Sequence, residues 1–104
     1  MTYQLVLQFP LSDASAGDFD RLLMIENELE LALRGKHQVQ GHDIGSDEIN
    51  LFIHTSDPNE AFELVKSTLS AKDLATLLVA FKEIKGDQYS VIWPDNYKDE
   101  FTIK

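Results

Sequence analysis

The most informative segment of the chain is Gly41-His42-Asp43-Ile44-Gly45-Ser46-Asp47-Glu48-Ile49-Asn50-Leu51-Phe52-Ile53-His54-Thr55-Ser56-Asp57-Pro58. It contains the end of one strand, a polar turn, a second strand with alternating apolar residues, and the start of a helix. Asp57 is placed to cap that helix, Pro58 suits its first position, and Glu60 completes a capping box. The segment therefore predicts a β-hairpin that leads directly into a helix.

Elements on both sides of this hairpin give the order β-α-β-β-α-β-β. The sequence predicts strands at 3–9, 36–43, 49–55, 77–84 and 88–93, and helices at 17–34 and 58–69. Ser70 and Asp73 resemble a second cap, which predicts a short extra turn. The economical arrangement is one α+β domain over residues 1–104, a ferredoxin-like split βαβ sandwich whose antiparallel sheet carries both helices on one face. The polar tail at 95–104 is expected to dock as an edge strand or to remain loose.

The first helix and the first strand carry most of the predicted core. The first strand is expected beside the third, at the centre of the sheet, because both are rich in apolar residues. Ser15 is predicted to cap the first helix, and Glu30 and Arg34 are spaced for a weak ion pair. The buried stripe of this helix is predicted to comprise Leu22, Ile25, Leu29, Ala32 and Leu33, extended at its start by Phe19.

Charge and composition limit the function classes. The chain has 18 acidic residues against 9 Lys and Arg, a formal net charge of −9, and no cysteine. Nucleic-acid binding is not expected, because a basic footprint is missing. No apolar run reaches membrane-spanning length and no secretory signal is evident, so we expect a cytoplasmic protein that binds no membrane. The charge favours a basic partner through electrostatic steering, although an acidic surface that only maintains solubility is the simpler interpretation.

Strand alternation predicts a polar sheet face on the side away from the helices, called the helix-free face below. If the helices cover the odd-numbered side of the first and third strands, and Val39 points inward, amides and histidines gather on the other side. The candidate binding residues on this face are Gln4, Gln8, Gln38, Gln40, His42, Asn50, Phe52 and His54. Amides are adaptable hydrogen-bond partners, and an exposed Phe52 would anchor an interface. Three alternatives remain open: a ligand or partner protein, a second copy of the chain, or a bare hydrated face.

The sequence gives weaker support for a metal site or a catalytic role. His42 and His54, with Asp43, Asp47 or Glu48, do not have a recognised metal-ligand spacing, so no metal and no cofactor are expected. Ser46 near a histidine lacks the G-x-S-x-G context of a nucleophile elbow. No catalytic residue is assigned, and a non-enzymatic role is favoured. Trp93 is interpreted as closing the core at a strand end rather than as a surface anchor.

A resemblance extends over most of the chain. The segment Gly41 to Glu48 with the following Asn50, Phe52, Ile53, His54, Asp57 and Pro58, the early Tyr-Gln-Leu-Val-Leu-Gln strand and the late Ile92-Trp93-Pro94 resemble a family of short, uncharacterised bacterial proteins. The resemblance implies a ferredoxin-like fold and a bacterial source, and it implies no activity and no site residues.

These observations favour a small acidic binding module that acts without catalysis, with a protein partner preferred over a small molecule. One form of it is an immunity- or inhibitor-like protein that neutralises a basic partner. The alternative is a homodimer that binds or transforms a small molecule on the helix-free face.

Overall fold

Five antiparallel strands form one sheet, and three helices accompany it. The computed structural model describes residues 2–10, 16–35, 37–44, 48–94 and 101, with the backbone alone for residues 16–19. The strands are β1 (Tyr3–Pro10), β2 (His37–Ile44), β3 (Glu48–Thr55), β4 (Leu78–Glu83) and β5 (Ser90–Trp93). The helices are α1 (Ala16–Leu33), α2 (Pro58–Thr68) and α3 (Ala71–Thr76). The predicted α+β class is confirmed, and the predicted extra turn after α2 is a separate short helix.

The sheet has the strand order β2-β3-β1-β4-β5. β1 lies between β3 and β4, as its apolar sequence predicts, and Leu5, Val6 and Leu7 at its middle are fully buried. β2 lies at one edge, in agreement with its polar composition, since an edge strand needs less burial than a central one.

The main core lies between α1, α2 and one face of the sheet. Odd-numbered residues of β1 and β3, such as Leu7 and Leu51, pack there against Leu29 of α1 and Val65 of α2. Both helices therefore cover the same face, as expected. The N-terminus of α2 follows the prediction in part. The Asp57 carboxylate accepts a hydrogen bond from the Glu60 amide at 3.1 Å, but the Asp57 amide donates to Thr55, so the reciprocal bond of the predicted capping box is replaced.

α1 differs from its prediction at two places. Leu22, Ile25, Leu29 and Leu33 are buried, but Ala32 is exposed and lies off the buried stripe. Within the part of the chain that the structure describes, no salt bridge within 4.0 Å joins Glu30 and Arg34. The helix carries leucines on both its inner and outer sides, so spacing alone does not define the position of Ala32.

A network of polar groups connects α1 to α3. The Ser70 hydroxyl caps α3 by accepting a hydrogen bond from the Asp73 amide at 3.2 Å, and it donates to Asp73 Oδ2 at 3.0 Å. Asp73 is buried, and its other carboxylate oxygen pairs with the Arg21 guanidinium of α1. The positive charge of Arg21 offsets part of the cost of burying this carboxylate.

Several predictions fall on parts of the chain outside the described residues. They are the cap at Ser15, the side chain of Phe19, the turn residues 45–47 and the tail at 95–100 and 102–104. Phe101 is described, and it is buried without being part of a strand. Among the described helices, none has the length and apolar content that crossing a membrane requires.

Candidate functional site

The strand register places most of the candidate binding residues on the helix-free face. Gln4 is opposite His54, Gln8 is opposite Asn50, and Gln38 is paired with His54 from the other side. Phe52 lies on the same face opposite Val6. Alternation in β1 and β3 was therefore sufficient to predict which residues share this face.

A β-bulge in β2 moves His42 off this face. The register shifts between Val39 and Gly41, where Gly41 has a φ of +138°, a conformation that favours glycine. Gln40 is the extra residue of the bulge, and His42 is paired with Leu51, whose side chain belongs to the helix-covered core. The prediction that Gln38, Gln40 and His42 alternate regularly onto one face was therefore wrong. A glycine inside a strand is the signal that indicates such a bulge.

His42 instead faces α1. Its Nδ1 atom lies 2.9 Å from Oε2 of Glu26, and both side chains are partly exposed. The contact links the edge strand β2 to the helix packed on it. With His42 and His54 on opposite faces of the sheet, the pair cannot ligate one metal ion. In the described residues there is no group of three His, Cys, Asp or Glu side chains that would hold a metal.

The amides on the helix-free face form hydrogen bonds within the chain. Gln4 Nε2 donates to the Tyr89 hydroxyl at 2.9 Å, and Gln4 Oε1 lies 3.4 Å from His54 Nε2. The side chain of Gln8 donates to Asn50 Oδ1 at 3.0 Å and to the Glu48 carboxylate. These glutamines therefore help to hold the face in place, which differs from the expectation of free recognition groups.

The Glu48 carboxylate is the least expected member of this face. Glu48 is only 7% exposed, and its Oε2 atom accepts hydrogen bonds from both Gln8 and Asn50, the latter at 3.2 Å. Asn50 itself is fully buried. Sequence reasoning placed Glu48 in a solvated turn, because the strand boundary was drawn one residue too late.

The apolar part of the helix-free face is partly covered by Phe101. Val6, Ala80 and Phe101 form a second buried cluster, against which Phe52, Leu78, Tyr89 and Val91 pack. The rings of Tyr89 and Phe101 are 5.0 Å apart. Phe52 is half-buried in this cluster, so it is less available as an interface anchor than the sequence suggested. The sequence did not predict that Tyr89 and Phe101 pack on this face, because they are distant from β1 in the chain and no local pattern indicates the contact.

Glu30 and Arg34 at the C-terminal end of α1 line a cleft of about 550 Å³ together with the neighbouring ends of β2 and β3. It opens at one end of the sheet. The full lining comprises Thr2, Glu30, Arg34, Gly35, His37, Gln38, Val39, His54, Thr55 and Ser56. Of the residues proposed from sequence, the cleft brings together only Gln38 and His54.

His37 forms part of the cleft wall and is held at both ring nitrogens. Its Nδ1 atom is 2.5 Å from the Thr55 hydroxyl, and its Nε2 atom is 3.3 Å from Glu60 Oε1. A carboxylate only accepts hydrogen bonds, so Nε2 donates to Glu60, and in a neutral ring Nδ1 accepts from Thr55. The Asp57 amide donates to the same Thr55 oxygen at 2.9 Å. Thr55 is 2% exposed, which makes this network a rigid junction between β3 and α2 rather than an exposed nucleophile.

Thr55→Val is expected to lower the free energy of unfolding by about 1.5 kcal/mol, because His37 loses its donor and the Asp57 amide loses its acceptor. Urea denaturation followed by circular dichroism measures the change. Thr55→Ser keeps the hydroxyl and is the matched control, with an expected loss well below that of valine. If the valine variant is as stable as the wild type, the hydrogen bonds of Thr55 do not contribute to the free energy of unfolding.

The outer surface of α1 exposes three large apolar side chains. Met24 is 65% exposed, Leu31 58% and Leu23 40%. Met24 and Leu31 lie on the side of the helix opposite the buried stripe, and Leu23 lies at the flank of that stripe. Asp20, Glu28 and Glu30 are exposed on the same helix. The exposure of these apolar residues was not predicted, although their positions outside the buried stripe were a readable signal. These six residues define what is called the outer α1 surface below.

Comparisons with protein-family models, with curated proteins and with solved structures find no match to this chain.

Proposed function

We propose that this chain is a non-enzymatic acidic binding module whose outer α1 surface docks a basic protein partner. The observation that carries the proposal is the exposure of Met24, Leu31 and Leu23 on the outer side of a helix whose inner side already fills the core. A buried stripe explains apolar residues on the inner side only. Clustered apolar residues on the outer side are typical of an interaction surface.

The charge around these residues indicates the chemistry of the partner. Asp20, Glu28 and Glu30 are exposed on α1, and the chain as a whole carries a formal charge of −9. Arg21 does not offset them fully, because its guanidinium pairs with the buried Asp73. A partner with an apolar patch ringed by Lys and Arg would match this surface, and steering would accelerate its association.

The fold and the resemblance concern the architecture and the source of the chain. The order β2-β3-β1-β4, with two helices on one face, supports a ferredoxin-like assignment in which β5 is an additional edge strand. The resemblance to short bacterial proteins supports a bacterial source. An immunity-like protein that neutralises a basic toxin is the specific form that charge and size favour.

The alternative, a homodimer with a small-molecule or catalytic site on the helix-free face, finds less support. The amides of Gln4 and Gln8 are engaged within the chain, and Phe101 covers part of the apolar surface. Light scattering of the wild type beside Phe52→Lys tests this alternative. A dimer that becomes a folded monomer would favour it over the outer α1 surface.

A defined probe tests the proposed surface before any partner is known. The probe is a synthetic amphipathic helix of leucine and lysine, titrated into ¹⁵N-labelled protein. We expect amide shifts centred on residues 20–34, and affinity that weakens at least tenfold between about 50 mM and about 500 mM salt. Met24→Asp and Leu31→Asp are each expected to weaken binding about tenfold, because interface anchors are buried apolar groups.

The matched control is Ile84→Asp, which changes an exposed apolar residue outside α1 in the same way. It is expected to leave the affinity unchanged. Shifts centred on the helix-free face, or equal losses in the control and in the two α1 variants, would contradict the proposal.

A further inference from the structure

The cleft at the end of the sheet is a second candidate binding site, and it shares only Glu30 with the outer α1 surface. It holds about 550 Å³, which lies within the range of small-molecule sites in proteins. Its walls come from the end of α1, the start of β2 and the end of β3. Three elements that are fixed by the core thus converge on one concavity.

Two opposite charges line this cleft without forming an ion pair. Glu30 lies in the last turn of α1 and Arg34 directly follows the helix, a spacing that favours a weak ion pair. Within the described residues, however, no salt bridge within 4.0 Å includes either of them. Both side chains line the cleft. A ligand with one negative and one positive group would satisfy both charges at once.

The electric field at the end of α1 disfavours a ligand that is only an anion. Gly35, which lines the cleft, follows the C-terminus of the helix, where free carbonyl groups carry partial negative charge. This charge adds to that of Glu30 and favours an ammonium group nearby. Arg34 supplies the separate cationic point that a carboxylate prefers, with a planar fork of donors.

The remaining lining is rigid and mixed in polarity. His37 is fixed at both ring nitrogens by Thr55 and Glu60, so this wall is ordered before any ligand binds. Val39 contributes an apolar contact surface, and Gln38 and Ser56 offer exposed polar groups.

We infer that the cleft binds a small zwitterion of the α-amino-acid type. Its carboxylate pairs with the Arg34 guanidinium, its ammonium group pairs with the Glu30 carboxylate, and its apolar side chain lies against Val39. Both ion pairs are close to solvent, so each contributes modestly and the affinity is in the millimolar range.

Titration of leucine into ¹⁵N-labelled protein tests this inference. The probes that separate the two charges are 4-methylpentanoate, which lacks the amine, and isoamylamine, which lacks the carboxylate. We expect saturable shifts in the cleft residues and binding of leucine about fivefold tighter than either single-charge analogue.

Two variants, each of which removes one charge from the cleft, show which residue binds which end of the ligand. Arg34→Gln is expected to weaken leucine about fivefold and leave isoamylamine unchanged, whereas Glu30→Gln weakens leucine similarly and leaves 4-methylpentanoate unchanged. Glu28→Gln, the same change on the same helix but outside the cleft, is the control and is expected to have no effect. Thermal melts confirm that all three variants fold.

The inference is overturned if leucine produces no saturable shift in the cleft at concentrations up to about 50 mM. It is equally overturned if both analogues bind as tightly as leucine, or if the control variant weakens leucine as much as the two cleft variants. None of these results depends on Leu23, Met24 or Leu31, the apolar residues that carry the proposed docking surface, so the two proposals fail independently.

Discussion

Trp93→Ala is expected to lower the free energy of unfolding by about 3 kcal/mol. The indole Nε1 donates a hydrogen bond to the Leu74 carbonyl at 3.0 Å, which joins β5 to α3. The indole ring lies 5.7 Å from the Phe62 ring of α2, and the Lys66 ammonium group lies 5.9 Å from the indole. Alanine therefore removes a packing contact, a cation–π contact and the partner of a carbonyl group.

Trp93→Phe separates packing from hydrogen bonding. It keeps an aromatic ring and loses the N–H donor, so we expect a loss of about 1 kcal/mol. Urea denaturation must be followed by circular dichroism, because Trp93 is the single tryptophan and its variants lack the fluorescence signal. An alanine variant of unchanged stability that no longer binds a basic partner would restore the surface-anchor interpretation of Trp93 and contradict the structural role.

The sequence predicted the sheet well because alternation reports burial directly. Leu5, Leu7, Leu51 and Ile53 occupy the odd-numbered side of β1 and β3, and all four are fully buried on the helix-covered side. The capping residues of α2 were equally informative, since Asp57 and its partner act within one turn of the chain. Local patterns thus predicted the local elements.

The candidate site was predicted less completely because its features arise from non-local contacts. One extra residue in β2 shifts the side chains that follow it to the other face, so that His42 lies against Glu26. A prediction that assumes regular alternation cannot include such a bulge. The partnership of Gln4 with Tyr89 joins positions 85 residues apart. The cleft likewise exists only where the ends of three elements meet. Such contacts depend on register and packing, which a single sequence indicates weakly.

Glu48→Gln and Glu48→Leu are expected to change stability in opposite directions, by about 3 kcal/mol relative to each other. Gln8 and Asn50 both donate to the same oxygen of Glu48, Oε2. The carboxylate is buried, and among the described residues no Lys, Arg or His forms a salt bridge with it within 4.0 Å. A glutamine carbonyl oxygen at that position would accept both hydrogen bonds without the cost of burying a charge.

The glutamine variant is therefore expected to gain about 1 kcal/mol, whereas the leucine variant loses about 2 kcal/mol because the buried Asn50 amide has no acceptor. Gln8→Ala in each background tests the coupling by a double-mutant cycle, since Gln8 donates to the same oxygen. Urea denaturation at neutral pH measures the wild type, the two Glu48 variants, Gln8→Ala and the two double variants. A Glu48→Gln variant that is clearly less stable than the wild type would mean that the charge itself is stabilised, and a cationic group outside the described residues would then have to face Glu48.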